Sequence, residues 1–192
     1  MTTQPGYDPG GLPADLPAPS DDGAAAHLVG ADVPSTTLAA TDGSTVDLAA
    51  LTGRTVVYAY PRTGRPDEAP LTQDWDLIPG ARGCTPQACD FRDHHGELAE
   101  VGARVFGLST QDSSYQREAA QRLHLPFALL SDQQLALSQA MKLPSLEVAG
   151  QILLRRLTMV LRDGVVEHIW YPVFPPHTHA KDVVAWLRLH PQ

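Results

Sequence analysis

The chain has 192 residues, 43% of them hydrophobic, enough for one ordinary domain with its own core. It carries 14 basic residues against 22 acidic ones, a formal net charge of −8. That balance speaks against a nucleic-acid partner, which needs Lys and Arg clustered against phosphates, and against an anionic membrane surface. No stretch approaches the roughly 18 apolar residues of a membrane span. The opening "MTTQPGYDPGGLPADLPAPSDDG" has neither the basic start nor the apolar run of a secretory signal, so a cytoplasmic protein is expected.

Residues 1–25 are mostly Pro, Gly, Ala and Asp, with little to bury, and predict a disordered leader ahead of a single domain over 26–192. Thr36–Ala40 and Thr45–Leu48 flank the turn "TDGS" and predict a hairpin. The runs 54–60, 103–109 and the shorter 127–132 are nearly continuous in β-branched, aromatic and apolar residues and predict strands buried on both faces. Between them lie helical patterns. In 84–102 Ala88, Phe91, His95, Leu98 and Val101 recur at three or four residues. A second helix follows Asp112, a suitable N-cap, with Tyr115, Ala119 and Leu123 on one face. "DQQLALSQAMKL" is a shorter one. After Gly150, "QILLRRLTMVLRDGVVEHIWYPV" predicts two strands joined at Asp-Gly, and "HTHAKDVVAWLRLH" predicts a closing helix. Alternating strands and helices demand a largely parallel sheet covered on both faces, and the late hairpin adds antiparallel strands. This is the layout of a thioredoxin-like three-layer α/β sandwich with a central mixed sheet and an N-terminal hairpin extension.

The only two cysteines, Cys84 and Cys89, open the first of these helices. The first N–H groups of a helix lack internal partners and carry partial positive charge, so a thiolate at Cys84 is stabilised there. Pro86 fits the first turn, where no N–H is needed. Five residues of ideal helix separate two Cα atoms by about 8.7 Å, beyond the roughly 4.4–6.8 Å that a disulfide spans. Such a pair suits a redox switch that needs local unwinding, not a permanent staple. On spacing alone a buried apolar pair stays open. A zinc pair normally has a tighter spacing and a second pair elsewhere, and a plain dithiol oxidoreductase normally has two intervening residues.

Taken together, "VVYAYP", "GCTPQACDFRD", "GLSTQDSSYQREAAQRLHLPFALLSD" and "RRLTMVLRDG" resemble the peroxiredoxins, most of all the bacterioferritin-comigratory or Q-type branch, over residues 28 to 189. The resemblance implies a peroxidase for hydrogen peroxide and organic hydroperoxides, working without metal, haem or other cofactor. It implies Cys84 as the peroxidatic and Cys89 as the resolving cysteine, joined in an intramolecular disulfide after Cys84 passes through a sulfenic acid. A thioredoxin-like dithiol would reduce that bond by exchange, and a monomer is favoured. Arg156 matches the family arginine beside the thiolate, and Gly83 with Pro61 would border the substrate. A non-catalytic redox sensor and a thiol–disulfide oxidoreductase on the same fold are the alternatives.

The chain departs from the family where Pro, three residues, Thr, two residues and Cys are expected: the Pro position holds Leu77 and the Thr position Ala81. The strand instead runs into a loop some sixteen residues longer than the family's, inserted at about 63–80. The expectation is that this loop bulges outward while Pro61 and Thr63 stay at the pocket, Thr63 partly replacing the missing hydroxyl. His94, His95, His177 and His179 are expected at the surface. Trp75 is expected to pack its loop onto the body, and Trp170, Tyr171 and Phe174 to serve as core or edge cover.

Overall fold

Six consecutive buried residues, Arg54–Ala59, form strand β3. A strand covered on both sides reads as a continuous apolar and β-branched run, and this one lies inside the sheet. The computed structural model describes residues 12–191. Around β3 it places β1 (Thr37–Ala40), β2 (Thr45–Asp47), β4 (Ala103–Ser109), β5 (Leu129–Ser131), β8 (Leu157–Arg162) and β9 (Val165–Trp170) in the order β2-β1-β5-β4-β3-β8-β9. β3, β4 and β5 run parallel, and β8, β9 and the N-terminal hairpin run antiparallel to their neighbours. The predicted mixed sheet and hairpin extension are present.

Alternation along β3 assigns the two layers, because successive side chains point to opposite faces. Val56, Tyr58 and Tyr60 face a cluster with Cys84, Phe91, Leu98 and Val184, contributed by α1 (Cys84–Asp93), α2 (His95–Glu100) and α5 (Ala180–Leu189). Val57 and Ala59 face the opposite cluster, which takes Leu137 and Met141 from α4 (Ala136–Met141) together with Ala25 and Leu28. Helix α3 (Ser113–Arg122) opens as predicted, Asp112 Oδ1 accepting from Tyr115 N at 2.9 Å.

Two elements differ from their prediction. The expected helix 84–102 is two helices meeting at His94, whose Nδ1 lies 2.9 Å from Asp90 O. The run after Gly150 holds three strands, since β7 (Gln151–Leu154) leaves the sheet to pair with β6 (Ser145–Val148) before the chain re-enters as β8. The break falls at residues 155–156, where Arg155 N donates to Pro144 O and Arg156 O accepts from Val173 N.

The expected leader divides. Residues 1–11 lie outside the described residues. Residues 12–25, expected to be disordered, follow the body: Ala25 is buried, and Asp22 Oδ1 accepts from Tyr171 Oη at 2.9 Å. The inserted loop does not bulge freely either. Trp75, only 3% exposed, packs with Ala81, Val148 and Leu153 against the β6–β7 hairpin, because an indole left in water would forfeit most of its apolar burial.

His179, expected at the surface, is instead buried at the head of α5, edge-on to Phe91 and Trp170. Burial first, then the Arg156 charge, depresses its pKa to about 4. Above about pH 6.5 neither folded nor unfolded chain protonates it; below that the unfolded chain binds the proton first. Unfolding free energy should therefore fall by on the order of 3 kcal/mol between about pH 6.5 and 4 on account of this residue. Asp90 nearby, raised by burial, acts with the opposite sign. Urea melts of wild type and His179→Gln across this window isolate the histidine, and the variant should lack its share of the slope.

Candidate active site

Cys84 is the first residue of α1 and is 3% exposed. The residue before it, Gly83, holds φ at +105°, a left-handed conformation that L side chains rarely adopt. A Cβ there would also stand 2.5 Å from Pro176 Cγ. Both constraints demand glycine, and together they turn the loop into the helix that Cys84 opens.

Arg156, 2% exposed, reaches the sulfur from the break between β7 and β8. Its Nη2 lies 3.2 Å from Cys84 Sγ and 3.2–3.3 Å from the carbonyl oxygens of Gly80, Ala81 and Arg82. Its Nη1 donates to Gln87 Oε1. A buried guanidinium is tolerated only when such acceptors surround it. The end of the inserted loop and the first turn of α1 thus hold the cation against the sulfur. Ala81, at the family's Thr position, offers no hydroxyl; its side chain packs beside Trp75, and Cys84 Sγ lies 3.6 Å from its carbonyl oxygen.

Thr63 is buried but faces another partner. Its N–H and its hydroxyl both donate to Gln111 Oε1, at 2.9 and 3.1 Å, and its carbonyl accepts from Gln111 Nε2 at 3.1 Å. The expected replacement of the missing hydroxyl is corrected accordingly: three bonds to one side-chain amide commit Thr63 to holding the start of the insertion to the loop after β4. Pro61 lines a small cavity with Gly80 and Arg156, and Pro19, Leu146, Tyr171 and Pro172 close its other sides.

Cys89 lies on the same helix, half-buried, and both cysteines are free. Burial pushes the Cys89 thiol up, while hydrogen bonding and charge from Arg92 pull the other way. Arg92 is held by Asp93 at 2.8 Å and by Leu123 O at 2.9 Å. On the far side of α1, Asp90 Oδ2 accepts from Ala180 N at 2.6 Å, joining the middle of the helix to the start of α5.

The structure brings Cys84, Gly83 and Arg156 together, with Pro61 at the adjoining cavity, and bonds Thr63 to Gln111. Sequence reasoning missed Gln87 and Gln111. Gln87 could have been found, since three residues beyond Cys84 is the same helix face. Gln111 could not, because nothing local marks the residue that receives a distant loop.

The Redoxin family model matches residues 28–187. Peroxiredoxin Q, chloroplastic, of Oryza sativa subsp. japonica is 32% identical over 160 residues, 83% of this chain and 66% of that protein, so the chain spans just under two thirds of that relative. Peroxiredoxin Q, chloroplastic, of Sedum lineare is 31% identical over 160 residues, 83% of this chain and 77% of that one. Among solved structures, peroxidoxin BcpB of Mycobacterium tuberculosis superposes with a TM-score of 0.69 at 27% identity, covering 86% of this chain and 99% of that one. Peroxiredoxin Q of Xanthomonas campestris gives 0.65 at 26%, covering 82% and 92%. With a thioredoxin-like peroxiredoxin fold and a cysteine opening α1 beneath a buried arginine, the chain belongs to the redoxins and, within them, to the peroxiredoxin Q group.

Proposed function

We propose that the protein is a thiol-dependent peroxidase that reduces hydroperoxides through Cys84. The observation that carries this reading is the 3.2 Å approach of Arg156 Nη2 to Cys84 Sγ at the start of a helix. A fixed guanidinium puts positive charge beside the sulfur, where a step that builds negative charge on oxygen needs it. The thiolate attacks one peroxide oxygen, the O–O bond breaks, and the departing oxygen leaves as an alkoxide or hydroxide that takes a proton to become alcohol or water. Sulfur is oxidised to a sulfenic acid as the peroxide is reduced. Arg156, already beside the sulfur, can also donate to an oxygen that gains charge in this step.

Cys89 then closes the cycle. Its sulfur attacks the sulfenic acid of Cys84, forming the disulfide and releasing water. Wound α1 keeps the two Cα atoms about 8.7 Å apart by helix geometry, so the bond requires the first turn to open. An external dithiol of the thioredoxin type attacks the disulfide and leaves with both oxidising equivalents. Because both sulfurs belong to one chain, a monomer suffices.

Cys84→Ser should abolish oxidation by one equivalent of hydrogen peroxide, whereas Cys89→Ser should leave that first step within about twofold and halt at the sulfenic acid. Rapid-mixing kinetics with mass analysis of the product separates the two steps, and equal loss in both variants would reverse the assignment. Thr63 bonds Gln111 through its backbone and its hydroxyl. Thr63→Val should lower stability by about 1 kcal/mol, one neutral hydrogen bond, while the first oxidation rate changes less than about threefold. Urea melts and the same kinetics check it; a tenfold slower oxidation at unchanged stability would return its hydroxyl to the pocket.

A further inference from the structure

Beside Arg156 the cavity lined by Pro61, Gly80 and Tyr171 measures ≈ 10 Å³, room for about one water-sized molecule. One of its walls, Pro19, comes from the leader, a part of the chain that composition alone leaves without a task.

Several independent contacts lay this segment against residues that flank Cys84 and Arg156. Leu12 Cδ1 lies 3.1 Å from where a Cβ on Gly83 would stand, directly beside the residue that turns into Cys84. Pro19 Cγ lies 3.4 Å from the same position on Gly80, whose carbonyl faces Arg156. Leu12, Leu16, Pro17 and Pro19 are partly buried while Pro13, Asp15, Ala18 and Ser20 are exposed, so one side of an otherwise irregular strip is applied to the body. Prolines at 13, 17 and 19 restrict φ, which reduces the entropy lost in holding the strip in place.

The strip is fastened at its inner end. Tyr171, itself a wall of the cavity, donates its hydroxyl to Asp22 Oδ1 at 2.9 Å. Asp21 and Asp22 accept from Gly23 N and Ala24 N, fixing the turn that leads to buried Ala25 and Leu28. Pulling the strip away uncovers apolar surface on Leu12 and Pro19 and breaks a tyrosine–carboxylate bond, so the covered arrangement is the stable one.

We infer that the leader segment 12–22 is a size filter for the peroxide pocket: it admits hydrogen peroxide and excludes hydroperoxides carrying a bulky organic group. The inference rests on the peroxidase reading for its substrate and narrows it. Hydrogen peroxide asks for a small widening of this cavity, whereas a cumyl group requires Pro19, and the strip that carries it, to withdraw. Overpacking of this kind costs about 1–3 kcal/mol, or roughly ten- to a hundredfold in rate.

The test compares the full-length chain with Leu12→Gly/Pro19→Gly and with Asp22→Ala, an exposed change that removes the bond to Tyr171 and the turn bond to Ala24 N. In wild type, hydrogen peroxide should oxidise Cys84 at least about tenfold faster than cumene hydroperoxide. The double variant should bring the two rates within about threefold by accelerating cumene hydroperoxide, and Asp22→Ala should move the ratio the same way by a smaller step. The same variants, each with Cys89→Ser, are titrated with small methyl methanethiosulfonate and with a bulky nitrobenzoate disulfide. Opening the strip should speed the bulky reagent selectively. Wild type accepting both peroxides equally, or both variants leaving both selectivities unchanged, overturns the filter. If no peroxide oxidises Cys84 in any form, the peroxidase reading fails, and the thiol reagents alone then decide whether segment 12–22 covers the sulfur.

Discussion

A guanidinium taken out of water is the constraint around which the site is arranged. At 2% exposure Arg156 must find acceptors for its N–H groups inside the protein, and it finds backbone carbonyls, one glutamine and one sulfur. Its demands reach several elements at once. The chain must break between β7 of the small hairpin and β8 of the central sheet so that residue 156 can turn toward α1, and the loop entering α1 must present three successive carbonyls. Gln87 must stand one turn beyond the cysteine on the same face. Removing any of these leaves a buried cation short of partners, which is among the more expensive defects a fold can carry.

The same helix has to satisfy an opposed requirement. Phe91 is fully buried and stacks on Tyr58 at 4.5 Å, and Asp90 bonds the backbone of α5, so the second half of α1 is firmly seated. The first turn relies on Gly83, on contacts with the segment around Pro176, and on Arg156. The proposed bond between Cys84 and Cys89 would ask only for that first part to loosen. In the proposed cycle, oxidation would alter the sulfur that Arg156 holds, where the helix has its weaker fastening.

Much of this was legible in the residues. The buried run 54–59 and its alternate sides, the Asp112 cap, the hairpin around Gly43 and the position of Cys84 follow from local rules that tertiary structure here obeys. Arg156 was recognised through its resemblance to a family position, not through any pattern of its own, since two arginines in a strand-like run read locally as a solvated end. What escaped was set by partners distant in sequence. His179 is buried because Phe91 and Trp170 meet there, and the strip 12–25 is ordered because Tyr171 and Gly83 receive it. "QILLRRLTMVLR" reads as one strand because hydrophobic alternation does not register a change of partner at residue 155. Thr63 was placed by proximity along the chain, and a side-chain amide 48 residues away decided otherwise.

The long connection between β3 and α1 is pinned at both ends, by Thr63 on Gln111 and by the Gly80–Arg82 carbonyls on Arg156, with Trp75 seated between them. Closing a flexible loop grows costlier only with the logarithm of its length, about 0.6 kcal/mol per doubling. Exposed residues between the two anchorages can therefore change while Trp75 on Ala81 holds the cysteine's surroundings: the stretch can lengthen, shorten or acquire new surface over generations. An insertion tied down in this way is a permissive place for a lineage to experiment.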